Sequence, residues 1–121
     1  MAAKPVIPIH SGDIRVLSFK VVDENGTAVN LSGYTDIDLA IYALDGQGNP
    51  TGAALASDNL AGDLDLVGGG TGGEFSWTTV AGDTSGLAGD YYVEVRLETS
   101  GGLFNTCSPA VLRVLEDLIT S

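Results

Sequence analysis

The sequence is poor in the residues from which active sites are most often built. It has one cysteine, Cys107, and one histidine, His10. A single cysteine forms no internal disulfide. As a nucleophile it would want a histidine partner, and His10 lies almost a hundred residues away in the N-terminal segment. The expectation is a free, buried thiol that packs as a small apolar group. No Ser-His-Asp set, metal-ligand cluster or cofactor fingerprint occurs along the chain, so no catalytic residue, no cofactor and no metal is expected.

Positive charge is scarce too. Five Lys and Arg stand against 16 Asp and Glu, a net charge of -11. None of the five lies between Lys20 and Arg96. Such a surface repels phosphate, which argues against nucleic acid and anionic membranes as partners. It also keeps copies apart until a specific contact outweighs the repulsion. Long apolar runs are missing, and none approaches the roughly 20 residues of a membrane-spanning helix. Residues 1–10 have one Lys and no long apolar stretch, unlike a signal peptide. Synthesis in a cytoplasm is the expectation.

What remains is a globular composition, 44% hydrophobic with 17 glycines, in a chain long enough for one core. The apolar residues recur with period two. Leu17, Phe19 and Val21 alternate with Ser18 and Lys20, and Ile37, Leu39 and Ile41 with Asp38, Ala40 and Tyr42. Tyr91, Val93, Val95 and Leu97 alternate with Tyr92, Glu94, Arg96 and Glu98. Residues 63–67, 74–80, 103–107 and 110–115 continue the pattern, residues 53–57 read as a weak edge, and residues 27–31 read as a short returning strand. Seven to nine short strands separated by turn signals, with no helix-length periodicity, predict an all-β, antiparallel immunoglobulin-like β-sandwich. Asp23-Glu24-Asn25-Gly26 predicts a tight hairpin in which Asn-Gly supplies positive φ angles.

The domain organisation expected is an extended N-terminal arm, residues 1–11, followed by a single sandwich domain, residues 12–121. Pro5 and Pro8 exclude a helix in the arm and flank apolar Val6, Ile7 and Ile9. Those side chains need something to lie on, either a partner subunit or the arm's own domain. Val6, Ile7 and Ile9 are therefore candidate partner-binding residues. Tyr42 and Tyr92 join them, because the alternation turns both tyrosines outward, whereas Trp77 and Tyr91 point into the core.

Two other features have sharper and blander readings. Gly69-Gly70-Thr71-Gly72-Gly73-Glu74 is no phosphate cradle, since it leads into a strand with no Lys nearby, and as a single copy ending in Glu it is no calcium repeat. A flexible hairpin loop is expected there. The pairs Asp36/Asp38 and Asp63/Asp65 share a strand face and could bind calcium or act as acid and base. The outward face of a half-buried strand is polar in any case, and that is the reading adopted.

The order of several short motifs carries a resemblance. Gly12-Asp13 precedes an apolar strand. Asp23-Glu24-Asn25-Gly26 and Val29-Asn30-Leu31-Ser32-Gly33-Tyr34-Thr35 follow. Later come Thr84-Ser85-Gly86-Leu87-Ala88-Gly89-Asp90-Tyr91-Tyr92 and Glu94-Val95-Arg96-Leu97. Over residues 12–115 this resembles the immunoglobulin-like domains of tailed-bacteriophage structural proteins, including the N-terminal domain of baseplate upper proteins. The resemblance implies virion assembly, other virion proteins and copies of itself as partners, and location in the virion after synthesis in the bacterial host cytoplasm. In baseplate proteins such a domain precedes a fibre-forming region. With the sequence stopping at Ser121, the expectation is an accessory subunit that decorates the capsid or forms the base of a head spike. The alternatives are a tail or baseplate adaptor for fibre attachment, or a small carbohydrate-binding module.

Overall fold

The computed structural model describes residues 5–102 and 104–115. Period-two alternation becomes strands wherever one face is apolar. In chain order these are β1 (Val6–His10), β2 (Val16–Lys20), β3 (Asp36–Leu44), β4 (Pro50–Asn59), β5 (Leu64–Leu66), β6 (Glu74–Thr78), β7 (Gly89–Glu98), β8 (Phe104–Cys107) and β9 (Val111–Leu115). A one-turn helix, α1 (Ala81–Thr84), precedes β7. A six-stranded sheet runs β1-β9-β7-β3-β4, with β8 also paired to β7, and a three-stranded sheet runs β2-β6-β5. All pairs are antiparallel except β1 with β9. Strand orders β9-β7-β3-β4 and β2-β6-β5 match the GFC-type and BED-type sheets of the immunoglobulin-like sandwich, so the fold is all-β and of the expected class.

The core lies between the sheets. Leu39, Val93, Val95 and Leu97 are all buried, facing Leu17, Phe19, Leu64, Phe75 and Trp77 of the smaller sheet. Phe19 and Phe75 are cross-strand partners whose rings stack at 5.3 Å between centroids and 16° between planes. The lone Cys107 forms no internal disulfide and sits half-buried against the core rather than fully buried. The Trp77 indole N–H donates to Asp58 Oδ2 at 3.3 Å, which gives the largest buried side chain a polar partner at the sandwich edge.

Residues 6–10 do not stand apart from the domain. β1 pairs in register with β9, Val6 beside Val111 through His10 beside Leu115. Ile9 is 2% exposed and belongs to the core, and Ile7 packs half-buried against it. A division at residue 12 therefore marks no break in the sheet. The β9 edge would otherwise present unpaired backbone groups, and β1 satisfies them while turning two isoleucines inward. Of the apolar arm residues, Ile9 is too buried for contact with a second subunit, and Val6 remains 43% exposed. Residues 1–4 lie outside the described residues.

The turn after β1 is latched by two fully buried threonines. Thr84 Oγ1 accepts from the Gly12 N–H at 2.9 Å, while Ser11 Oγ donates to the Thr84 carbonyl at 2.9 Å. Thr79 Oγ1 accepts from the Arg15 N–H at 2.9 Å and donates to the Asp13 carbonyl at 3.0 Å.

Three local expectations are corrected. Asn25 has no positive φ; only Gly26 does, at 80°. The Asp23 carboxylate accepts from the N–H of Asn25 and of Thr27, at 2.9 and 3.0 Å, which stabilises a three-residue loop closed by a glycine bulge rather than a two-residue one. Residues 27–31 form no strand beyond an isolated bridge between Val22 and Ala28. There Asn30 Oδ1 accepts from Ser32 N and Oγ, and a 3₁₀ turn, Leu31–Gly33, follows. The glycine-rich stretch is packed rather than loose. A Cβ on Gly70 would come within 2.9 Å of Leu31 Cβ, and one on Gly73 within 2.7 Å of the Val21 carbonyl oxygen. Both have positive φ, so only glycine meets both conditions there.

Candidate functional site

The smaller sheet covers one face of the larger, and the other face of the larger sheet looks outward. Its residues are the polar half of the alternation on β3 and β7. Strand register sets them in cross-strand rows: Tyr42 beside Tyr92, Ala40 beside Glu94, and Asp38 beside Arg96. On the flanking strands, Ser57 of β4 lies beside Ala40, and Thr106 of β8 beside Arg96.

An open groove of about 420 Å³ runs over this surface, lined by Asp38, Ala40, Tyr42, Ser57, Glu94, Arg96 and Thr106 among others. Its floor is the row of small side chains Ser57 and Ala40, and the larger neighbours on either side form the walls. Arg96 Nη2 donates to Asp38 Oδ2 at 3.2 Å. The Arg96 guanidinium carbon also lies 4.4 Å from the centroid of the Phe104 ring, within reach of a cation–π contact. Burial first, and then the charge of the neighbouring Glu94 carboxylate, push the Tyr42 phenol above its ordinary pKa. Tyr42 is thus a neutral donor at physiological pH.

Tyr42 and Tyr92, the two tyrosines singled out from the alternation, are adjacent and both half-buried on this face. Val6, Ile7 and Ile9 are not part of it; they sit on β1, beyond β9. Tyr91 turns the other way, and its hydroxyl closes a short loop. It accepts from the Ala88 N–H at 3.1 Å and donates to the Ala88 carbonyl at 3.0 Å, a tyrosine-corner contact at the start of β7.

No family model matches the sequence, and no curated protein matches it. Among solved structures the chain is similar to CopC from Methylosinus trichosporium OB3b. That likeness has 13% identity and a TM-score of 0.46, over 98% of this chain and 91% of the other, and it carries no functional argument.

The carboxylate pairs divide differently from the sequence pattern. Asp36 accepts from the Ile37 N–H at 2.8 Å and the Leu60 N–H at 3.4 Å, and Asp38 holds Arg96, so that pair is engaged in structural contacts. Asp63 is raised above the usual carboxylate range by the Asp58 charge first, then by desolvation, with smaller effects from Asp83 and Asp65. Among the described residues, no group of three or more His, Cys, Asp or Glu is placed to hold a metal ion. Sequence reasoning missed the roles of Glu94, Ser57 and Arg96 in the groove. The outward alternation of Glu94 and Arg96 was visible, but residues 53–57 read only as a weak edge, and the register that aligns the three strands was not visible at all.

Proposed function

We propose that the protein is a non-enzymatic accessory subunit of a tailed-bacteriophage particle, decorating the capsid or forming the base of a head spike. In this reading it attaches to other particle proteins through the outward face of the six-stranded sheet. The supporting observation is the pairing of Tyr42 with Tyr92 beside Arg96 and Phe104 on a half-buried, solvent-facing sheet surface. Tyr, Phe and Arg are enriched where proteins bury surface against one another, because each offers a large contact area, to which Tyr adds a hydroxyl and Arg a cationic edge. A role as tail or baseplate adaptor would use the same face.

The test is compositional. Particles of the source phage, purified on a density gradient and analysed by quantitative mass spectrometry, should contain this chain in a fixed ratio to the major capsid protein. Recovery of the chain only from the particle-free fraction overturns the proposal.

A further inference from the structure

The groove has an uneven charge distribution. Asp38 and Arg96 neutralise each other across adjacent strands. Glu94, in the next row, lies near enough to Tyr42 to disfavour its ionisation and has, among the described residues, no ion pair with a Lys or Arg. Its cross-strand neighbours are Ala40 and, one strand further, Ser57. The geometry is therefore a trough of short side chains that crosses β4 and β3 and ends on a carboxylate, with Tyr42 along one side and the Asp38–Arg96 pair along the other.

We propose that this trough receives an arginine side chain presented by a partner protein. The proposal rests on the protein-docking reading above and names the chemistry of the contact. Charge complementarity supports it, since Glu94 leaves the groove with net negative charge in a molecule of net charge -11. An extended aliphatic stem can lie over Ser57 and Ala40. The planar guanidinium then pairs with the Glu94 carboxylate through a charge-assisted hydrogen bond and lies against the Tyr42 ring. A neutral sugar could use the hydroxyls and the ring but gains nothing from the charge.

The experiment is an NMR titration of the isotope-labelled full chain with the blocked tripeptide acetyl-Gly-Arg-Gly-amide, and separately with a neutral oligosaccharide, maltohexaose. The tripeptide should shift the amides of Ala40, Tyr42, Ser57 and Glu94 saturably. Glu94→Gln should weaken binding by about fivefold or more, whereas Glu74→Gln, on the exposed face of the other sheet, should leave it unchanged. Equal effects of the two substitutions, shifts scattered over acidic loops, or no saturation overturn the assignment. Saturation by the oligosaccharide alone overturns it in favour of a glycan site. The two readings fail separately. Particle incorporation that survives Glu94→Gln but is lost with Tyr92→Ala removes the arginine and keeps the docking face. Absence from particles alongside Glu94-dependent binding of the tripeptide removes the particle role and keeps the arginine site.

Discussion

Thr79 shows how a single hydroxyl can hold a turn. Its side chain is fully buried and serves two backbone groups of the β1–β2 connection, the Arg15 N–H and the Asp13 carbonyl. Thr79→Val preserves the shape and removes both bonds, leaving a backbone donor without its partner. Urea denaturation should show a loss of about 1–3 kcal/mol, the usual cost of orphaning such a group. A loss near zero would mean that water replaces the hydroxyl and the latch is dispensable. Asp63 behaves oppositely. Its pKa is raised, chiefly by Asp58, so ionising it opposes folding. That opposition is full at pH values above the raised folded pKa and absent below the unfolded one, near 3.8. Asp63→Asn should therefore raise the melting temperature at pH 7 and leave it unchanged near pH 3, a difference that calorimetry at the two pH values can measure. Asp45 has the reverse sign. The Asn49 and Gln47 N–H groups hold its pKa down, so its contribution is present above about pH 4 and disappears as pH falls through the depressed value.

At the scale of elements, β1 and the glycine-rich turn decide how much of the chain is core. Ile9→Asp places an unpaired charge at a position 2% exposed and should cost on the order of 3 kcal/mol or more. Val6→Asp, on the same strand but 43% exposed, should stay within about 0.5 kcal/mol. Similar costs at both positions, measured by chemical denaturation, would place β1 elsewhere than against the core. Gly73→Ala should destabilise by about 1–3 kcal/mol, because the residue has positive φ and its new methyl would meet the Val21 carbonyl oxygen. Gly72→Ala, with open space and no positive φ, is the control and should be nearly silent.

These elements also mark where the sequence is informative. The long strands β3 and β7 were legible because Ile37, Leu39 and Ile41, and Val93, Val95 and Leu97, alternate without interruption, and alternation reports directly on one buried face. β1 was not assigned, because a short apolar segment broken by prolines can lie on any surface, and parallel pairing with a strand a hundred residues away leaves no local trace. The packed glycines were not legible as such either. A loose glycine loop and one wedged against Leu31 and Val21 have the same composition. For the groove, the outward directions of Tyr42 and Tyr92 could be read. The row that sets Ser57 and Ala40 against Glu94 depends on register between strands, which is fixed by the whole sheet.

For the whole molecule, the dominant electrostatic term is self-repulsion. The chain has 16 acidic and five basic side chains. The ion pairs found among the described residues, Arg96 with Asp38 and Arg113 with Asp90, have side chains about a third to a half exposed. Exposed pairs of this kind contribute roughly 0–1 kcal/mol each, and salt screens them along with everything else at the surface. Repulsion among the remaining carboxylates acts over the entire surface and is screened over the same distances. Raising NaCl from 20 to 300 mM shortens the screening length from about 20 to about 6 Å, which removes more repulsion than attraction in a molecule with net charge -11. The melting temperature at pH 7 should therefore rise with NaCl over this range, as followed by differential scanning calorimetry. A fall would mean that the two arginine pairs outweigh the surplus of negative charge, and that the acidic surface is arranged more favourably than its composition implies. The same screening should weaken arginine binding in the groove, so stability and that affinity should move in opposite directions with salt.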